Sequence, residues 1–198
     1  MSRYTTLVTI LDQICAEAPS DFKRYHPSET KHEEVGHARS RAFIHLFLKV
    51  RFGLTHFKER EQFLTDDPQD GGIDGYFLDE EHKTIYLIQS KFRSSEINFK
   101  EKEILFSELL QMDVDRVVDG EETDEKGVPY NSKIRKMQKA ISQIPDIATA
   151  LGDNHGAGRL QLWWLEFVNE AFDTLITVGE AVLDDQVLPD GGRIPATT

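Results

Sequence analysis

One cysteine, Cys15, in 198 residues rules out an internal disulfide and lacks the paired spacing of a structural zinc site. A reducing cytoplasm is the expected setting. Long apolar runs are missing too: no stretch approaches the roughly 18 apolar residues of a membrane helix. The opening MSRYTTLVTILDQICAEA has no continuous apolar core followed by a small-residue cleavage site. Neither secretion nor membrane insertion is expected. No Walker-type phosphate loop occurs, so nucleotide hydrolysis by the chain itself has no support. Positive charge is also scarce. Against 35 Asp and Glu stand 23 Lys and Arg, a net charge of -12, which as a whole repels phosphate backbones.

What is present is the composition of a folding chain, 39% apolar and 29% charged, long enough for one buried core. The expectation is one domain over 1–183 and a flexible tail over 184–198. Charge is unevenly spread. Residues 21–60 hold nine basic groups against five acidic ones, and Lys133, Arg135, Lys136 and Lys139 form a second basic cluster. Acids gather at 61–81, at 113–125 and towards the end, so a local basic surface can exist on an acidic molecule.

Apolar spacing of three and four predicts helices over Thr5–Glu17, Glu29–Val50, Phe99–Met112 and Ser132–Gln143, with Gly53 stopping the second. A last helix is expected over Asn169–Leu183. Asp66 to Gly72 is a run of turn formers. Ile73–Asp79 and Thr84–Phe92, rich in β-branched and aromatic residues, read as a hairpin. Residues 113–131 read as a loop whose acid-rich part, Asp119 to Pro129, is mobile, and Leu160–Val168 (LQLWWLEFV) as a strand buried on both faces. There is no internal repeat.

The chemistry concentrates in Asp70-Gly-Gly-Ile-Asp-Gly and, after a polar gap, Thr84-Ile-Tyr-Leu-Ile-Gln-Ser-Lys-Phe. Side chains two apart on a strand share a face, so Gln89 and Lys91 point together and Ser90 opposite. Chain reversal near 79–83 brings Asp74 beside the end of the second strand. A carboxylate, an amide and an ammonium then converge where an all-apolar strand turns polar. Phosphodiester hydrolysis needs a cation near the phosphate, an activated water and stabilisation of transition-state charge. Asp74, the Gln89 side-chain oxygen and the Ser90 backbone carbonyl are oxygens suited to Mg2+, and Lys91 suits the water. Gly71, Gly72 and Gly75 relieve crowding around Asp74.

DGGIDG followed by an apolar strand ending IQSKF resembles the active-site signature of the PD-(D/E)xK nuclease superfamily. More narrowly it is similar to the nuclease-like region of AIPR (abortive infection phage resistance) proteins, and less closely to Mrr-type restriction endonucleases. The likeness covers residues 70–93 and reaches weakly back to residue 29. It implies an α/β fold, a restriction-endonuclease-like mixed sheet flanked by helices. It also implies an Mg2+-dependent endonuclease, Mn2+ substituting, acting on DNA ahead of RNA in prokaryotic phage or foreign-DNA defence. Asp74, Gln89 and Lys91 take the functional positions, and a preceding helix supplies another acid, Glu33 or Glu34, with Glu34 preferred. Dimers are common among such enzymes, so a homodimer or a larger defence partner is implied as well.

Two departures matter. Gln89 stands where the superfamily usually has Asp or Glu, a substitution shared with the named relatives, and it weakens metal binding. That keeps open the alternative of a catalytically weakened module that binds nucleic acid or a partner. AIPR proteins are also far longer, which implies a fragment or a short relative. Asp70 precedes the glycines and reads as a turn former rather than a catalytic group. His32, His37 and His45, five and eight apart on one helix, do not share a face and read as solvated or structural. Trp163 and Trp164 read as core.

Overall fold

The computed structural model describes residues 2–81, 84–90, 92–101, 112–144, 159–166 and 177–182, the last two segments as backbone. It is a mixed helix-and-sheet fold. Helix α1 spans Arg3–Ala16 and α2 spans His32–Phe52, with a 3-10 turn at Lys23–Tyr25 between them. Short α3 follows at Phe57–Glu61, then strands β1 (Gly75–Asp79) and β2 (Thr84–Ser90). Beyond them come α4 (Glu96–Glu101), α5 (Val114–Val118), α6 (Ser132–Ser142), β3 (Arg159–Glu166) and β4 (Thr177–Val182). Among the described residues no helix is long and apolar enough to cross a membrane.

The strands form one sheet in the order β1-β2-β3-β4, with β1 antiparallel to β2, β2 parallel to β3, and β3 antiparallel to β4. A parallel pair needs a crossover, and the segment holding α4, α5 and α6 provides it. Every residue of β2 is buried, because helices cover both faces of the sheet. Tyr86 and Ile88 point into a core shared with α1 and α2, while Ile85 and Leu87 enter a second core with Val114, Val117, Ile134, Met137 and Ile141. Hence the continuous apolar reading of this strand. Gly53 ends α2 in the left-handed region at φ +69, where a residue without Cβ is favoured.

Two expectations fail. Thr177–Val182 is a strand rather than part of a last helix: β-branched Thr177, Val178 and Val182 suit an extended chain, which pairs with β3 from Thr177↔Glu166 to Val182↔Gln161. The loop expected over 113–131 opens instead with helix α5, and only the remainder is irregular. Val114 and Val117, three apart, bury one side of α5, and Asp124 Oδ1 accepts the N–H groups of Lys126 and Val128 at 2.8 Å each. The expected helix beyond Glu101 to residue 111, the tail, and the side chains of Trp163 and Trp164 lie outside the described residues.

A buried polar network ties the helices together. His45 and Arg60 are both 0% exposed. Arg60 Nε donates to His45 Nδ1 (3.2 Å), and its Nη1 to the carbonyls of Leu54 (2.8 Å) and Thr55 (2.7 Å). Arg60 also pairs with Glu17, which accepts from Lys49 Nζ at 2.6 Å. Since guanidinium only donates, His45 Nδ1 must accept, which leaves its proton on Nε2 facing Glu61 Oε2 at 3.1 Å. Burial pushes the His45 pKa down, agreeing with this neutral ring. Tyr25 donates to the same Glu61 oxygen. Burial pushes Glu61 upward, but hydrogen bonds from His45 and Tyr25 outweigh it and hold the carboxyl below its usual range. Arg60→Met, which keeps volume but leaves these acceptors unpaired, is expected to lower unfolding stability by roughly 3 kcal/mol or more in urea titrations. A loss below about 1 kcal/mol would show that the network is not what joins α1, α2 and α3.

Candidate functional site

The segment after α3 folds back on the start of β1. Leu64 bridges Gly75, Tyr76 N–H donates to Phe63 O (2.9 Å), and both Thr65 and Asp66 N–H groups donate to Asp74 O (3.0 and 3.1 Å). Between these arms the turn takes positive φ values at Gln69, Gly71 and Gly72. Gly75 is required for a different reason. A Cβ there would lie 3.0 Å from Ile44 Cγ2 on α2 and 3.2 Å from Phe63 O, so only glycine lets the strand start this close to the helix. The crowding partner is the protein itself.

Gly75 faces Ile88 in the ladder, yet Asp74 N–H also donates to Ile88 O at 2.9 Å. Two residues thus oppose one, the arrangement of a β-bulge, a device that re-aims side chains beside functional sites. Asp74 Oδ2 accepts the Ser90 N–H at 2.6 Å, so the carboxylate sits at the end of β2 as the hairpin reading requires. Ser90 meets Asp74 through its N–H. Gln89, 4% exposed, lies on the α5/α6 face and donates from Nε2 to Gly72 O at 3.2 Å. Among the described residues its Oε1 is buried without a hydrogen-bond partner, as is Ser90 Oγ. A buried amide oxygen with nothing to accept from carries a desolvation cost of roughly 1–3 kcal/mol.

Asp66, Asp70 and Asp74 each offer a carboxylate oxygen within 4.8 Å of the others, all three half-buried. Each is anchored: Asp70 Oδ1 accepts from Gly72 N (2.8 Å), and Asp66 Oδ2 pairs with Arg41 Nε at 3.0 Å. Asp70 is therefore the turn former that its position before the glycines suggests and also a member of the cluster. Burial, together with the charges of Asp66 and Asp67, pushes its pKa up to about 6 against the pull of the Gly72 hydrogen bond. Asp66 was not legible as a site residue. Only the pairing of 63–66 with 74–76 brings it across from Asp74, and no local spacing signals that contact.

The loop is held from three sides. Asn131, the cap of α6, accepts from Lys133 N (2.9 Å) and Ile134 N (3.0 Å), while its Nδ2 lies 3.2, 3.3 and 3.4 Å from the carbonyl oxygens of Thr65, Asp67 and Pro68. Lys133 Nζ and Arg24 Nη1 reach Asp67 at 2.9 and 3.5 Å. Glu34 is elsewhere. It pairs with Lys31 at 2.6 Å in the exposed first turn of α2, seven residues or roughly 10 Å of helix axis before Arg41. It is not part of the acidic cluster, and exposed Glu33 lies beside His37 at 3.9 Å. Lys91 lies outside the described residues.

Comparisons with protein-family models, with curated proteins and with solved structures found no match. Function therefore rests on the geometry. Three oriented carboxylates and an unsatisfied amide oxygen are hard donors that fit Mg2+ or Mn2+. Cys15 offers no competing nucleophile, because burial pushes its thiol up to about 11 and keeps it protonated.

The raised Asp70 pKa has a stability consequence. A carboxyl whose folded pKa exceeds its unfolded 3.8 contributes stability below that value and loses it as pH rises towards about 6. Asp70→Asn keeps the acceptor for Gly72 N–H. Without divalent ions at pH 7.5 it is expected to raise Tm by a few degrees, on the order of 1 kcal/mol, with no difference at pH 3.5. Calorimetry at the two pH values checks this. A lower Tm for the variant at pH 7.5 would mean that the cluster carries no repulsion.

Proposed function

We propose that the chain is a metal-dependent endonuclease of the PD-(D/E)xK type, acting on DNA ahead of RNA, with Asp74, Gln89 and Lys91 as its working residues. The observation that carries this is the meeting of Asp74 and Gln89 at one hairpin end, with Gln89 Oε1 buried and, among the described residues, unpartnered, and with Asp74 in a cluster of aspartates. The mixed sheet with helices on both faces supports a restriction-endonuclease-like architecture. Prokaryotic defence against phage or foreign DNA is the role that the motif resemblance suggests.

Asp74 and the Gln89 side chain would hold the ion, joined by the Ser90 backbone carbonyl. Bound there, Mg2+ would polarise the scissile phosphate and acidify a water. Asp74 is held by the Ser90 N–H, so its orientation is set before substrate arrives and costs no reorganisation. Gln89 Nε2 is held by Gly72 O, which leaves Oε1 as the amide atom free to act as a ligand. We assign Lys91 to orienting the attacking water and offsetting negative charge on the phosphate. Glu34, exposed and paired with Lys31, would join only if the substrate drew it in.

The decisive assay is cleavage of plasmid DNA, single-stranded DNA and RNA with Mg2+ or Mn2+, comparing wild type with Asp74→Ala and Lys91→Ala. Metal-dependent cutting should fall at least about a hundredfold in both variants while each stays folded. Variants that cut as well as wild type would remove this active site. A wild type that binds nucleic acid but never cuts it would leave the binding-module alternative.

A further inference from the structure

Helix α6 carries Lys133, Arg135, Lys136 and Lys139 and no acid, in a chain of net charge -12. Its inner stripe, Ile134, Met137 and Ile141, is 0%, 0% and 4% exposed. Arg135, Lys136 and Lys139 are exposed. At 3.6 residues per turn these three fall within a sector of about 100° centred opposite the buried stripe, spread over about 6 Å of axial rise. Among the described residues none of the three has an ion-pair partner. Solvated faces ordinarily mix signs, and this chain has acids in excess, yet this face has none.

The same helix begins at the acidic loop. Its cap, Asn131, touches three loop carbonyls, the Asn131 N–H donates to Gln69 O at 2.9 Å, and Lys133 forms an ion pair with Asp67. The cationic stripe therefore leads away from the candidate metal centre along a rigid element of roughly 16 Å. On a molecule that repels polyanions at long range, such a strip is what lets one approach in a single orientation.

We infer that the outer face of α6 is the seat of the polynucleotide phosphate backbone, delivering the strand to the Asp74–Gln89 end of the hairpin. The inference rests on the nuclease reading. Arg135 takes a phosphate through two parallel N–H donors, and Lys136 and Lys139 act as point charges on its neighbours. Such contacts position the strand and read no bases, so binding here is independent of sequence and weakens steeply with salt.

The test uses the full 198-residue chain with Arg135→Gln, Lys136→Gln and Lys139→Gln combined, substitutions at exposed positions whose retention of fold is checked by Tm and circular dichroism. Anisotropy of labelled duplex and single-stranded DNA is followed across salt with Ca2+ in place of Mg2+, and cleavage is measured in parallel with Mg2+. The triple variant should bind at least about tenfold more weakly, with the slope of log K against log salt shallower by about two to three. Cleavage should lose through KM while kcat is kept. Equal affinity and slope in the variant, with wild type binding and cutting, would overturn the inference and leave the nuclease reading standing. Wild type binding polyglutamate as tightly as DNA would overturn the polynucleotide assignment in favour of an acidic protein partner. Neither binding nor cutting of any polynucleotide by wild type would overturn both.

Discussion

Carboxylates whose oxygens lie within 4.8 Å of one another repel while they are charged. Much of the surrounding structure keeps Asp66, Asp70 and Asp74 together against that repulsion. Arg41 pairs with Asp66, Gly72 N–H holds Asp70, and Ser90 N–H holds Asp74. Asn131 fastens the loop carbonyls to α6, and Lys133 and Arg24 offset the neighbouring Asp67. A divalent cation bound there would remove the repulsion and stabilise the same arrangement.

The rigid frame behind the loop has its own logic. Glycine at position 75 allows β1 to begin against Ile44, the bulge at Asp74 turns the carboxylate to the strand end, and the 63–66 arm brings Asp66 across. That arm continues directly from α3, where Arg60 and Glu61 lock onto His45, Tyr25 and Glu17. The buried network and the candidate centre are therefore successive parts of one stretch of chain. Its interior ions are costly to desolvate, and their hydrogen bonds join α1, α2 and α3 to the arm that carries the loop.

What could be read from the sequence was whatever local periodicity determines. The hairpin, its reversal near 79–83 and the burial of β2 follow from β-branched and aromatic content, and α2 with its Gly53 stop follows from three-and-four spacing. Gln89 stood out because a polar pair ending an apolar strand demands a partner. Contacts between distant segments were not legible: Asp66 opposite Asp74, Asn131 on the loop, and the burial of His45, whose helical spacing alone suggests solvent as readily as core. The expected last helix is a strand: its apolar residues satisfy either period. Its pairing with β3 decides the matter, and that is a property of the sheet.

The central claim is that the hairpin end and the loop form one divalent-metal centre. Diffraction at the manganese absorption edge, from crystals grown with Mn2+, tests it most directly. The account requires an anomalous peak roughly 2.0–2.6 Å from a carboxylate oxygen of Asp74 and from Gln89 Oε1, the range of hard cation–oxygen bonds. A peak elsewhere, or none at saturating Mn2+ with Gln89 Oε1 still without a ligand, would contradict it.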